Sequence, residues 1–263
     1  MNNYSKWIHK FEIKPGKWVF VPSEKSIEIG TEIKSSLEKC WSPPSYFYHL
    51  QKGGHVKAIK KHLQSNSFIH LDIQDFYGSI NKSRVTRCLK KYFGYEKARS
   101  IAVDSTVRFQ SHSDNKYVLP FGFIQSPILA SICLADSSLG RYLHKLYKQN
   151  IVLVSVYMDD FVLSTRKNID LNSILSSFVQ VSEKSKFKIN HKKEEGPASK
   201  ITAFNIDLIH KNISIEPERL HKFIEAYNQS SNPYQKKGIR RYVNSVNTAQ
   251  ANKNFSLVNT NIN

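Results

Sequence analysis

Two groups of acids in this sequence are placed to do chemistry. Asp159 and Asp160 stand side by side between two apolar, β-prone runs, Ile151–Val156 and Phe161–Ser164, which puts them at the tip of a predicted hairpin. Adjacent carboxylates repel and raise one another's pKa, and a fold tolerates them when cations neutralise them. On its own such a pair is commonly a solvated turn. Asp72 changes the balance. It follows the apolar run Phe68-Ile69-His70-Leu71, which predicts a buried strand, where a lone charge is costly. A sheet can bring the strand acid and the hairpin pair together. Carboxylates are hard oxygen ligands suited to Mg²⁺, which keeps waters and phosphates in its shell. Three of them can support two metal ions about 4 Å apart, as in-line phosphoryl transfer needs.

The elements that must position these acids follow from local pattern. Ile29–Cys40 reads as an amphipathic helix stopped by Trp41-Ser42-Pro43-Pro44, and Val56–Leu63 as a short helix. Asn81 is a predicted N-cap for a helix running to about Phe93. Leu119–Gly122 is turn-like. Ser126 and Pro127 predict a helix start, with Ser as cap and Pro first in the helix. That helix should run to about Tyr147 and bury Ile128, Leu129, Ile132, Leu139, Leu143 and Leu146. Further on, Asp170 to about Lys186 reads as a helix and Lys200–Leu208 as a strand. Pro217–Tyr227 and Tyr234–Ala251 read as helices, and Asn252–Asn263 as a frayed end. The order strand, helix, helix, hairpin, helix, strand is an α+β pattern.

Composition narrows the partner. Lys and Arg number 39 against 21 Asp and Glu, a net charge of +18, which favours a polyanion through phosphate neutralisation and counterion release. The cysteines Cys40, Cys88 and Cys133 form no CxxC, so neither a zinc site nor a disulfide framework is indicated, and a reducing, cytoplasmic setting is expected. The first residues lack an apolar signal core, and the longest apolar runs are too short to span a bilayer. The ten histidines show no metal-ligand spacing, and His49 and His55 read as surface or core residues. Asp75 reads as a structural residue near the start of the next helix.

Taken together, the motifs resemble the reverse-transcriptase family. Leu71-Asp72-Ile73-Gln74-Asp75-Phe76-Tyr77-Gly78-Ser79-Ile80 resembles its motif A. Leu119-Pro120-Phe121-Gly122-Phe123-Ile124-Gln125-Ser126-Pro127 resembles motif B, and Val156-Tyr157-Met158-Asp159-Asp160 resembles motif C. Lys188-Ile189-Asn190-His191-Lys192-Lys193 is similar to the motif D lysine region, and Thr202-Ala203-Phe204-Asn205-Ile206 to the primer-grip strand. The resemblance implies a right-hand polymerase: an N-terminal fingers region over 1–66, a palm of antiparallel sheet backed by helices over 67–210, and a helical thumb and tail over 211–263. It implies that Asp72, Asp159 and Asp160 hold two Mg²⁺ ions, with Mn²⁺ as an alternative, and extend a primer 3′-hydroxyl. Tyr77 would exclude a 2′-hydroxyl, pointing to deoxynucleoside triphosphates and DNA. Phe121 and Gly122 would shape the nucleotide pocket, and Lys193, or the equally placed Lys192, would approach the triphosphate.

Three features depart from the family or lie outside its motifs. Phe121 stands where many relatives carry Gln in Leu-Pro-Gln-Gly, and no clean Arg-x-Ile-x-x-Pro pattern precedes motif A. Lys236, Lys237, Arg240 and Arg241 combine with Tyr242 as a candidate nucleic-acid-binding thumb helix. The implied function is RNA-directed DNA synthesis with a noncoding RNA in bacterial antiphage defence, in the manner of retron or abortive-infection enzymes. A homo-oligomer or companion protein is a further expected partner, and no membrane is expected. The alternatives are template-independent or protein-primed DNA synthesis in the same fold, and a non-catalytic RNA-binding protein.

Overall fold

The structure, a computed structural model, describes residues 4–111, 114–167 and 169–255. The chain opens with a hairpin of β1 (Trp7–Lys14) and β2 (Lys17–Pro22), followed by α1 (Glu24–Cys40), a turn of 3₁₀ helix at Tyr48–Leu50, and α2 (Gly54–Lys60). Then come β3 (Ser67–Gln74), α3 (Lys82–Asp104), the hairpin β4 (Val107–Ser111) and β5 (Asp114–Val118), α4 (Ser126–Ala135) and α5 (Ser138–Gln149). The hairpin β6 (Leu153–Tyr157) and β7 (Asp160–Thr165) precedes α6 (Leu171–Lys184), β8 (Lys188–Ile189), a 3₁₀ turn at His191–Lys193 and β9 (Glu195–Ala198). A meander of β10 (Lys200–Ala203), β11 (Ile206–Ile209) and β12 (Asn212–Ile215) leads to α7 (Pro217–Gln229), α8 (Pro233–Val246) and α9 (Thr248–Asn254).

The central sheet has the order β6-β7-β3-β8, with β9 pairing the first half of the β3 edge that β8 pairs at its end. Its pairs are antiparallel. Period-two alternation sorts its two faces. Ile69, Leu71 and Ile73 of β3, with Phe161 and Leu163 of β7, join the large core built with α1, α3, α4, α5 and α6. Phe68 and Val162 point the other way, into a second core shared with α2, the three-stranded meander and the C-terminal helices. Along that second face β3 runs from Phe68 to His70 to Asp72, so the chain turns from apolar to acidic as it leaves the core.

The expected α+β class holds, and several boundaries differ for physical reasons. Helix α1 begins earlier than expected because the Ser23 side chain accepts from Ser26 N–H. Asn81 does cap α3, but the helix reaches Asp104 across a break at Gly94 (φ 74°, ψ 174°). Ser126 is not a cap: Gln125 holds that position and Ser126 is already helical. The single helix expected to Tyr147 is two, because Ser137 caps a new start, accepting from Gly140 N–H. Gly140 lets the second helix press on the end of the first; a Cβ there would lie 2.2 Å from the Leu134 carbonyl oxygen.

The strand expected over Lys200–Leu208 is a hairpin. Ala203 pairs with Ile206 across Phe204 (φ 58°) and Asn205 (φ 59°), the two positive φ values of a type I′ turn. Asn247 likewise divides the last predicted helix by capping α9, accepting from Gln250 N–H. Within the expected frayed end, residues 252–254 are helical, and 256–263 lie outside the described residues. The hairpins β1–β2 and β4–β5 and the short strands β8, β9 and β12 were not anticipated.

Gly140→Ala should lower stability by about 1–3 kcal/mol through overpacking at the α4–α5 junction. A shift of the denaturant midpoint at unchanged slope is the expected result, and an unchanged midpoint would contradict this packing.

Candidate active site

The register of β3 against β7 places Asp72 directly opposite Asp160. Opposed residues on an antiparallel pair share a face, so the two carboxylates lie side by side. Asp159 sits one residue earlier, in the two-residue loop between Tyr157 and Asp160, which pair with each other. The loop is held on both sides. Ile73 N–H donates to the Asp159 carbonyl at 2.9 Å, and Met158 N–H donates to His49 Nδ1 at 3.1 Å. Met158 is left-handed at φ 61°, a cost that the surroundings must over-determine.

The protein supplies its own partners to these acids. Lys193 Nζ donates to Asp72 Oδ2 at 2.7 Å, and Asn190 Nδ2 donates to Oδ1 at 2.9 Å. Asn190 N–H also donates to the Asp72 carbonyl at 2.8 Å. The Asp72 side chain is 4% exposed and that of Lys193 50% exposed, so the lysine reaches in from solvent. Burial alone would lower the Lys193 pKa. Its bond to Asp72 and the charges of Asp72, Asp160 and Asp159 raise it instead. Asp160 turns to the strand behind: His70 Nε2 lies 3.0 Å from its Oδ1. A carboxylate only accepts, so the imidazole donates, and His70 Nδ1 is buried without a partner.

Asp159 faces a cavity of about 430 Å³ with Asp72, Tyr77, Phe121, Asn190 and Lys193. Phe121 packs on Tyr77 edge to face, with ring centroids 4.4 Å apart, and Lys17 Nζ lies 4.2 Å from the Phe121 centroid. The loop carrying Phe121 docks on β2: Phe20 N–H donates to the Phe121 carbonyl at 2.9 Å. Gly122 (φ +105°) makes that approach possible, since a Cβ would lie 2.1 Å from the Phe20 carbonyl oxygen. Burial, and then the charge of Asp159, raise the Tyr77 hydroxyl well above its usual range.

A sequence profile describing the reverse transcriptase (RNA-dependent DNA polymerase) family matches residues 10–204. This chain belongs to the reverse transcriptase family. Telomerase of Candida albicans in complex with a fragment of telomeric RNA is similar at 10% identity and a TM-score of 0.53, covering 87% of this chain and 47% of that one. Apo telomerase of Candida tropicalis is similar at 13% identity and 0.52, covering 88% and 51%. The foamy viral protease-reverse transcriptase in complex with double-stranded DNA aligns at 15% identity and 0.49, covering 88% and 34%. The two telomerase likenesses show the polymerase fold. This chain spans about half or less of the length of these structures. No curated protein sequence matches it.

The structure thus gathers Asp72, Asp159, Tyr77, Phe121 and Lys193 around one cavity, with Asp160 opposite Asp72 and Gly122 beneath the Phe121 loop. Between the two candidate lysines, Lys193 meets Asp72. Asp75, expected to be structural, also lines the cavity; Gly78 N–H bonds its carboxyl, Asp75 (φ 46°) begins the turn, and its carbonyl accepts from Ser79 N–H. Lys236, Lys237, Arg240 and Arg241 stand on α8 and do not line the cavity. Of these four Arg241 is exposed, while Lys236 lies over the Tyr227 ring at 5.2 Å. His49, His70 and Asn190 were not anticipated as site residues. For His70 a signal existed, since it is two residues before Asp72 and so on the same face of the strand.

Burial, then the charge of Asp160 and more weakly that of Asp72, raise the Asp159 carboxyl to about 6. The folded protein therefore holds this proton more tightly than the unfolded chain. The stabilisation is complete below about pH 4 and is lost as pH rises through about 6. In chelator-treated, metal-free buffer, Asp159→Asn should gain in Tm over the parent as pH is raised across that window. A Tm difference that stays constant from acid to neutral pH would refute this account of Asp159.

Proposed function

We propose that this chain is an RNA-directed DNA polymerase that adds deoxynucleotides to a primer 3′-hydroxyl, with Asp72, Asp159 and Asp160 as the residues that hold its divalent metal ions. The observation that carries the proposal is the opposition of Asp72 and Asp160, with Asp159 at the adjoining tip facing the Tyr77–Phe121 cavity. Among the described residues, no three His, Cys, Asp or Glu side chains converge as a ready metal cage. The donor set still fits a hard cation. It is carboxylate oxygen, Asp72 already binds an ammonium, and the pKa of Asp159 is raised by burial and then by the charges of Asp160 and Asp72, which a bound cation would offset. Two Mg²⁺ ions, or Mn²⁺ in their place, would supply activation of the 3′-hydroxyl and charge neutralisation of the leaving pyrophosphate.

The chain's own residues do the rest. Tyr77, buried against Phe121 at the cavity, would bar a 2′-hydroxyl and so select deoxynucleotides. Phe121 gives the pocket an apolar floor, and Lys17 and Lys193 place two cations at its margin for a triphosphate. In this reading residues 1–66 form the fingers, 67–210 the palm and 211–263 the thumb. Lys236, Lys237, Arg240 and Arg241 on α8 contact a nucleic-acid backbone, consistent with the net charge of +18. The biological setting we propose is antiphage defence, with a noncoding RNA as partner and template.

A second reading, DNA synthesis with a fixed or absent template, is favoured by one observation: Phe121 is committed to Tyr77 and Lys17 and offers no side-chain amide to a template base. Sequencing the product of the purified protein decides between them. DNA complementary to a bound or supplied RNA supports the first, and a homopolymer without a complement supports the second. Asp72→Asn and Asp160→Asn should each reduce incorporation by about 10²–10³-fold or more. Full activity in either variant would remove that aspartate from the metal-holding role, and no incorporation by the parent protein would leave only a nucleic-acid-binding role. Tyr77→Ala should lower discrimination against ribonucleotides by at least about tenfold, read from competitive incorporation of the two sugars; unchanged discrimination would remove Tyr77 from this role.

A further inference from the structure

A chain of hydrogen bonds runs from the acidic hairpin tip into a distant helix through one histidine. Met158 N–H donates to His49 Nδ1 at 3.1 Å, and His49 Nε2 lies 2.6 Å from Ser131 Oγ. Ser131 Oγ in turn donates to the Pro127 carbonyl at 2.8 Å. The direction of the chain is fixed by its ends. A backbone N–H can only donate, so Nδ1 accepts and the ring proton is on Nε2. The Pro127 carbonyl can only accept, so the Ser131 hydroxyl points to it and its lone pair faces Nε2–H. Burial lowers the His49 pKa to about 4, outweighing the nearby Val156 carbonyl, which raises it. The ring is then neutral, as this pattern needs.

What the chain connects gives it meaning. Met158 is the first residue of the two-residue loop, so its N–H has no partner in the β6–β7 ladder. The same loop carries Asp159, whose carbonyl is held from the other side by Ile73 N–H. At the far end, Pro127 and Ser131 belong to the first turns of α4, the helix that follows the Phe121–Gly122 loop. His49 itself comes from the 3₁₀ turn Tyr48–Leu50, outside every motif that marked the site.

We infer that His49, as the neutral Nε2–H tautomer, is a positioning residue that ties the Met158–Asp159 turn to α4, so that Asp159 and the Phe121 loop keep one mutual placement. This rests on the polymerase reading above for its functional consequence, while the tie itself does not. A misplacement near 1 Å at reacting groups can cost about 10²-fold, which sets the expected size of the effect.

The test uses the full chain. In the metal-free protein, ¹⁵N shifts of labelled histidine should show His49 with its proton on Nε2, and the Met158 amide should exchange slowly with solvent. His49→Ala should make that amide exchange fast. It should lower kcat by about 10²-fold while leaving KM for the nucleotide within about threefold and Tm within a few degrees. His49→Asn, whose Oδ1 can take the place of Nδ1, should restore amide protection and at least tenfold of the lost kcat. Ser131→Ala should fall between the parent and His49→Ala. A proton on Nδ1, a fast Met158 amide in the parent, or full kcat in His49→Ala would each overturn the inference. So would a loss that His49→Asn fails to rescue while Tm falls with it. Should His49→Ala fail to fold, His49→Asn, Ser131→Ala and the tautomer decide the matter. Should the parent prove inactive, the polymerase reading fails, and the tautomer and amide exchange still decide the tie.

Discussion

Ionised carboxylates are costly to remove from water, and three of them meet at one end of the sheet whose opposite face is the main core. Much of the architecture can be read as an answer to that constraint. β3 is apolar on the face that meets the helices and keeps its acid on the other, so this strand adds no charge to the main core. The acid end of the sheet borders a cavity, where Lys193 and Asn190 reach Asp72 and His70 reaches Asp160. The hairpin tip is fixed by backbone contacts from β3 and by a side chain from the N-terminal region. Asp159 still carries the cost, its proton affinity raised by burial first and by the charge of Asp160 second.

The cavity beside the acids is assembled from distant pieces. β2 from the first hairpin braces the Phe121 loop by a backbone bond and by the gap at Gly122, so the pocket floor depends on residues near the start of the chain. The aromatic contacts behind the tip extend this union: Tyr157 meets His55 and Phe204, and His55 bonds the Tyr242 hydroxyl on α8 at 3.0 Å. The C-terminal helices are thereby packed against the same region that carries the acids, rather than attached as a loose appendage.

What could be read from sequence followed physical range. Asp72 was legible because an acid ending an apolar strand breaks the local rule, and Asp159-Asp160 because two β runs flank them at hairpin spacing. Asn81 was legible as a cap because capping is local. The split of α4 from α5 was also written locally, in Ser137 and Gly140, but the apolar spacing continues across it and masked the break. Nothing local marks Phe204 as left-handed, since a bulky aromatic disfavours that conformation; only the pairing of Ala203 with Ile206 imposes it. His49 and Asn190 were opaque for another reason. Each is an ordinary polar residue whose meaning lies in a partner far along the chain. The β1–β2 hairpin did carry a local signal, since Phe11 and Ile13 alternate with Lys10, Glu12 and Lys14 along an eight-residue strand.

Chains are made and begin to fold from the N-terminus, and that order bears on the strand carrying Asp72. β3 is among the earlier elements, whereas β7 and then β8 and β9, which cover its two edges, are translated much later. Asn190 and Lys193 arrive with that last pair. Until they do, a nascent chain carries an apolar strand with an open edge and an acid without its counter-charge. The segment from Lys188 to Ala198 is thus a clasp in two senses, closing the sheet and balancing its charge in one step. A chain cut before it would be a sheet left ajar, with the adhesive edge that strand pairing normally hides.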